Sequence, residues 1–141
     1  MTNTSHKNKT LATLLAVVLG GPGIHRFYLY GPRDFWAWNY VAAFLLFVCA
    51  LVLAQGPHSL GITLLTLFPI SIFAGWIEAM VIGLTPDKKW DARHNANSAR
   101  SSASGWPLVL LLVLTFACGF TTFIVCIARA TDLFLTGGAF G

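Results

Sequence analysis

Leu11-Ala12-Thr13-Leu14-Leu15-Ala16-Val17-Val18-Leu19-Gly20-Gly21-Pro22-Gly23-Ile24-His25-Arg26-Phe27-Tyr28-Leu29 is the stretch on which the fold turns. Leu11 to Ile24 is 14 residues, about 21 Å of helix against roughly 30 Å of hydrocarbon. An apolar run of that length suits a re-entrant or interfacial segment better than a spanning one. The Gly20-Gly21-Pro22-Gly23 interruption releases backbone groups that lipid cannot satisfy, so protein or water must surround it. A second reading stays open. A helix continued through Tyr30 would be 20 residues long, enough to cross, with His25 and Arg26 near a membrane face.

The rest of the chain tells which solvent to assume. Of 141 residues, 56% are hydrophobic and only 10% charged, against about 25% charged in an ordinary soluble domain. Windows 35–53, 60–84 and 107–128 hold 19, 25 and 22 residues and one charge between them, Glu78. Each is long enough to span. The expected fold class is therefore an all-α membrane protein: a re-entrant or short N-terminal helix, three transmembrane helices and a short interfacial helix.

Boundaries follow from the same pattern. Residues 1–10 form the N-terminal arm and 11–95 the main membrane domain, with a half-helix at 11–24 and spans at 35–53 and 60–84. Thr85-Pro86-Asp87 reads as an N-cap, a first-turn proline and an acidic first turn, opening a surface helix over 86–94. The Ser/Ala/Asn-rich stretch 95–105 reads as a flexible tether, and 106–135 as an additional C-terminal span. A cleaved signal peptide fits less well, because no A-x-A site follows the first apolar run.

Charge fixes an orientation. Lys7, Lys9, Arg26, Arg33, Lys88, Lys89, Arg93 and Arg100 share one side if the opening segment turns back, leaving only Arg129 opposite. The positive-inside bias makes that side cytoplasmic and puts the C-terminus across the membrane. Trp36, Trp38, Trp90 and Trp106 sit where aromatic belts form. The net charge of +4 is thus explained by helix ends, and nucleic acid is not expected as a partner. Cys49, Cys118 and Cys126 lie in apolar windows as small buried residues. With no ligand spacing, neither a disulfide framework nor a metal site is expected.

Three blocks occur in order: Lys7-Asn8-Lys9, Leu19-Gly20-Gly21-Pro22-Gly23 and His25-Arg26-Phe27-Tyr28-Leu29, followed by Trp76-Ile77-Glu78 and the polar exit Thr85–His94. Together they resemble the TM-2 domain family of small membrane proteins, some bacterial members of which are called NINE proteins. The resemblance spans roughly residues 7–95. It departs at Pro22 inside the glycine turn, and at Tyr30, where the family usually has glycine. It implies a bacterial inner-membrane protein but no reaction, since the family has no agreed biochemical activity. It leaves the helix from 107 onward without support.

The candidate motif and binding residues are Gly20, Gly21, Gly23, His25, Arg26, Phe27, Tyr28 and Glu78. Glu78 lies six residues before Leu84, about 9 Å below the helix end, and an intramembrane carboxylate is costly unless paired. It is expected either to pair with Arg26 or His25 or to serve a proton- or cation-linked site. His25 and Arg26 are read as following the C-terminal end of the half-helix, where cations are favoured. Ser71, Gly75, Ala79 and Gly83 form a small-residue stripe that seats either the hairpin or a second subunit. Thr115, Cys118, Thr122, Cys126 and Arg129 make a mildly polar stripe expected to pack between helices, and Arg129 can pair with Asp132. No catalytic set and no cofactor are expected. The partners expected are membrane lipid and either a homo-oligomer or a membrane-protein partner. The function expected is a non-catalytic membrane module, with a small transporter or channel component as the alternative.

Overall fold

The computed structural model describes residues 6–53 and 68–139, and among them six helices and no strand. These are α1 (Lys9–Leu19), α2 (Ile24–Tyr30), α3 (Phe35–Leu53), α4 (Phe68–Leu84), α5 (Asp87–His94) and α6 (Trp106–Thr136). The first part of the expected 60–84 span, the turn Ala54–Ser59 and Gly141 lie outside the described residues. Two helices, α3 and α6, are long and apolar enough to cross a membrane. Their large side chains are mostly exposed, from Phe35 and Val52 to Phe116 and Phe134. An apolar surface that extensive fits lipid rather than water.

Asn8 starts α1 by accepting the Leu11 amide on its side chain, 3.1 Å away, and so satisfies one orphan donor of the first turn. The helix stops at Gly20, and the chain then doubles back. Gly23 takes a left-handed φ of 73°, which a residue with a Cβ adopts only at a cost. The Gly23 amide donates to Gly20 O at 3.0 Å, and the Arg26 amide to Gly23 O at 3.0 Å. At the far end the Asn8 amide donates to the Tyr28 hydroxyl at 2.9 Å, and Lys7 Nζ donates to Leu29 O. The end of α2 therefore returns to the start of α1. His25 and Arg26 consequently lie in the first turn of a new helix. The first helix ends at Leu19 and not at Ile24, which corrects the expectation that they directly follow its C-terminal end.

The hairpin docks on α4 by backbone. A Cβ built on Gly75 would stand 2.6 Å from Gly20 Cα, closer than any real contact. Ala12, Ala16 and Ala79 are fully buried and Ser71 nearly so. The small-residue stripe thus serves contacts within the chain: Gly75 meets α1, and Gly83 faces Leu112 of α6. Val17 O lies in the last turn of α1, where carbonyls lack helical partners, and accepts Trp76 Nε1–H at 3.2 Å.

Four expectations about the second half change. Thr85 does not cap α5; its hydroxyl turns back to Val81 O at 2.6 Å, and Pro86 holds the N-cap position. Trp90 is not an interfacial anchor: it is 2% exposed, with Nε1 donating to Lys7 O and its ring 4.4 Å from that of His94. Cys49 and Cys118 are exposed rather than buried, because the chain itself does not pack against those apolar positions. The packing face of α6 runs through Leu108, Leu112, Thr115 and Gly119. Of the expected polar stripe, only Thr115 is buried.

The stretch 95–105 is pinned rather than free. The Ser102 amide and hydroxyl donate to Asp91 at 2.7 and 2.6 Å, and those of Ser104 to Asp87 at 2.8 and 2.5 Å. Lys9, 6% exposed, completes the latch. Its ammonium donates to Thr85 O, Asp87 and Ser104 at 2.5, 2.9 and 2.9 Å, one acceptor for each of its three protons.

Two outcomes follow from this packing. Gly75→Leu forces α1 off α4 and lowers unfolding stability in detergent by about 2 kcal/mol or more, read from the shift of the denaturation midpoint. The Ser104 hydroxyl, and then Lys9, holds the Asp87 carboxyl at about 2, below its ordinary 3.8. Because the folded value is the lower one, this stabilisation is complete above the ordinary value and is lost as pH falls through about 2. The protection factor of the Ser104 amide, measured by hydrogen exchange, falls across that window in the wild type and is already low in Asp87→Asn.

Candidate functional site

Glu78 sits on α4 one turn past Gly75, where the first turn of α2 meets it. Its Oε2 is 2.6 Å from His25 Nε2, and its Oε1 accepts Arg26 Nη1 at 2.6 Å and the Tyr40 hydroxyl at 3.1 Å. Three elements therefore converge on one carboxylate: α2 with a cation and an imidazole, α3 with a phenol, and α4 with the acid. His25 is fully buried, so an Nε2–H facing the carboxylate is the tautomer that makes the bond. Its ring meets the Tyr40 ring edge-on with centroids 5.6 Å apart. Its Nδ1 is the buried side-chain polar atom without a partner among the described residues.

Arg26 bridges two acids. Its Nε donates to Asp34 Oδ2 at 2.8 Å while Nη1 holds Glu78. Asp34 in turn accepts the Ala37 amide at 3.1 Å, an N-terminal cap on α3. One guanidinium thus ties the first turn of α2 to the start of α3 and to α4. Tyr30, where the expected family pattern has glycine, lies under two cations: Arg26 at 5.2 Å and Arg93 at 5.8 Å from its ring centroid. Each contact is of cation–π range.

The sequence-predicted residues divide accordingly. His25, Arg26 and Glu78 come together, and Gly20, Gly21 and Gly23 place them by letting the turn sit against Gly75, Phe44 and Tyr40. Phe27 lies away from the carboxylate, edge-on to Trp38 at 5.5 Å. Tyr28 instead ties to the Asn8 amide. Trp36, Trp38 and Trp106 are exposed. His94 does not reach Glu78 by hydrogen bond, yet both line one cavity of about 250 Å³ between α2, α4 and α5. Among the described residues no group of His, Cys, Asp and Glu is arranged to hold a metal ion. Arg129 and Asp132 pair at 2.6 Å on the far part of α6.

Residues the sequence reading missed are Asp34, Tyr40 and Lys9. Asp34 had a usable signal: an acid immediately before an apolar helix is a capping position. Tyr40 falls six residues into α3, where its role depends on which face turns inward.

Arg26→Met leaves Glu78 and Asp34 without their shared cation. It should cost about 3 kcal/mol or more, exceeding both Glu78→Gln and Asp34→Asn. In a double-mutant cycle the Arg26→Met/Glu78→Gln pair should be clearly less destabilising than the sum of the singles. Chemical denaturation in detergent micelles measures all four.

Comparison with known proteins adds one match. No curated protein and no solved structure matches the chain. The family model described as the TM2 domain matches residues 5–54, which contain the Lys-x-Lys start, α1, the glycine turn, the His25–Tyr30 block and all of α3. With α3 inside that match and α6 beyond it as apolar helices of spanning length, the chain is a membrane protein whose residues 5–54 match the TM2 domain.

Proposed function

We propose that this protein is a non-catalytic integral membrane module that engages lipid or a membrane-protein partner at its basic end. The observation carrying this reading is that Glu78 is saturated by Arg26, His25 and Tyr40 of its own chain. An acid on α4 held by three partners from two other helices, α2 and α3, fixes a structure. In this reading α1 and α2 form a re-entrant hairpin whose tip, at Gly20, reaches the level of Gly75, roughly 14 Å from the end of α4. The helices α3, α4 and α6 span. The N-terminal arm, the α2–α3 junction and the 85–105 segment share the cytoplasmic face of a bacterial inner membrane, and the C-terminus lies across it. The contacts of Lys9 with Thr85, Asp87 and Ser104 support one common face for these segments, as does the basic bias.

A second reading, proton- or cation-linked transport through Glu78, draws on the cavity that reaches this carboxylate and on the unpartnered Nδ1 of His25. Purified protein in liposomes separates the two. The module reading expects proton and potassium flux equal to that of empty vesicles for both wild type and Glu78→Gln. Flux by the wild type that Glu78→Gln abolishes would establish transport instead.

A further inference from the structure

The five acidic residues of the chain are all engaged. Asp34 and Glu78 bind Arg26, Asp87 binds Lys9 and Ser104, Asp91 binds Ser102 and Asn95, and Asp132 binds Arg129. On α5 the acids at 87 and 91 turn toward the serine-rich segment, while Lys89 and Arg93, also four apart, line the cavity against α2 and α4. Neither Lys89 nor Arg93 has an ion pair among the described residues. Arg26 reaches the same cavity with Nη2 carrying no hydrogen bond there, since its two recorded side-chain bonds use Nε and Nη1. With Arg26 shared between Glu78 and Asp34, two cations, Lys89 and Arg93, face this space without a carboxylate of their own, and Arg26 adds a donor edge. The chain has no further acid to supply.

The cavity is also two-natured. Leu29, Ile82 and Trp90 form a buried apolar floor. On its α4 wall Val81 is 63% exposed, and the exposed apolar surface continues down the helix to Ile77, also 63% exposed. A small free anion would use only the cationic rim. A ligand with an anionic head and apolar chains uses both, the head at Lys89 and Arg93 and a chain along Val81 and Ile77.

We propose that the cavity between α2, α4 and α5 is a binding site for the phosphodiester headgroup of an anionic phospholipid, held by Lys89, Arg93 and Arg26. This rests on the reading that the basic end of the protein lies at the headgroup level. His94 supports it, because burial and the nearby charges of Arg93 and Lys7 push its pKa down. A neutral imidazole beside the cations adds a hydrogen-bonding edge.

Native mass spectrometry of the full chain, released from micelles containing equal phosphatidylglycerol and phosphatidylcholine, tests the site. The wild type should retain one phosphatidylglycerol in preference to phosphatidylcholine. Lys89→Gln/Arg93→Gln should lower that preference by roughly tenfold, with the melting temperature in neutral detergent unchanged. Lys88→Gln/Arg100→Gln, which removes the same charge outside the cavity, should keep it. Three results would overturn the proposal: no preference in the wild type, equal loss in both double variants, or displacement of the lipid by millimolar inorganic phosphate. Headgroup selectivity with Glu78-dependent flux would overturn the module reading and leave this site standing.

Discussion

Two glycine backbones in contact, Gly20 on α1 and Gly75 on α4, set the limit within which everything else is arranged. A helix of 11 residues leaves the carbonyls of its last turn without helical partners. Here α4 closes over that end. The approach of the two chains brings Trp76 to Val17 O and the turn onto α3. It also sets the depth at which α2 begins, and thereby the height at which Arg26 and His25 meet Glu78. A side chain at either glycine would change that height and separate the charges.

Charge is then used twice, at two levels along the hairpin. Near its turn, Arg26, His25 and Tyr40 converge on one carboxylate, and Asp34 extends the set to the start of α3. At its open end, Lys9 with Thr85, Asp87 and Ser104 locks the N-terminal arm to the segment leading into α6. Partially buried ions cost desolvation; Lys9 answers it with an acceptor for each ammonium proton, and Glu78 by accepting from or pairing with three side chains. The remaining cations of α5 are left facing outward into a cavity with an apolar floor.

The sequence made the larger plan legible because its signals are absolute. A run too short to span, a glycine–proline interruption and one acid in an apolar window admit few arrangements, and the meeting of Arg26 with Glu78 is among them. The ends of α5 and α6 were readable within a residue or two from proline and charge. What stayed hidden depends on which face turns inward. Trp90 among Lys88, Lys89 and Arg93 reads as an interfacial anchor. In an eight-residue helix periodicity cannot show that α1 and Lys7 cover it. Ser102 and Ser104 look the same in a tether as in a latch, since the bonds come from aspartates more than ten positions away in sequence. Cysteines in apolar windows give only the polarity of their surroundings. They do not reveal whether protein or lipid supplies it.

The latch around Lys9 has a consequence for how the molecule is made. The hairpin is translated before its acceptors: Asp87 and Ser104 follow Lys9 by 78 and 95 residues. Until then its cations have no carboxylate on α4 or α5 to meet. The hairpin is therefore seated in full only once the second half of the chain has been made.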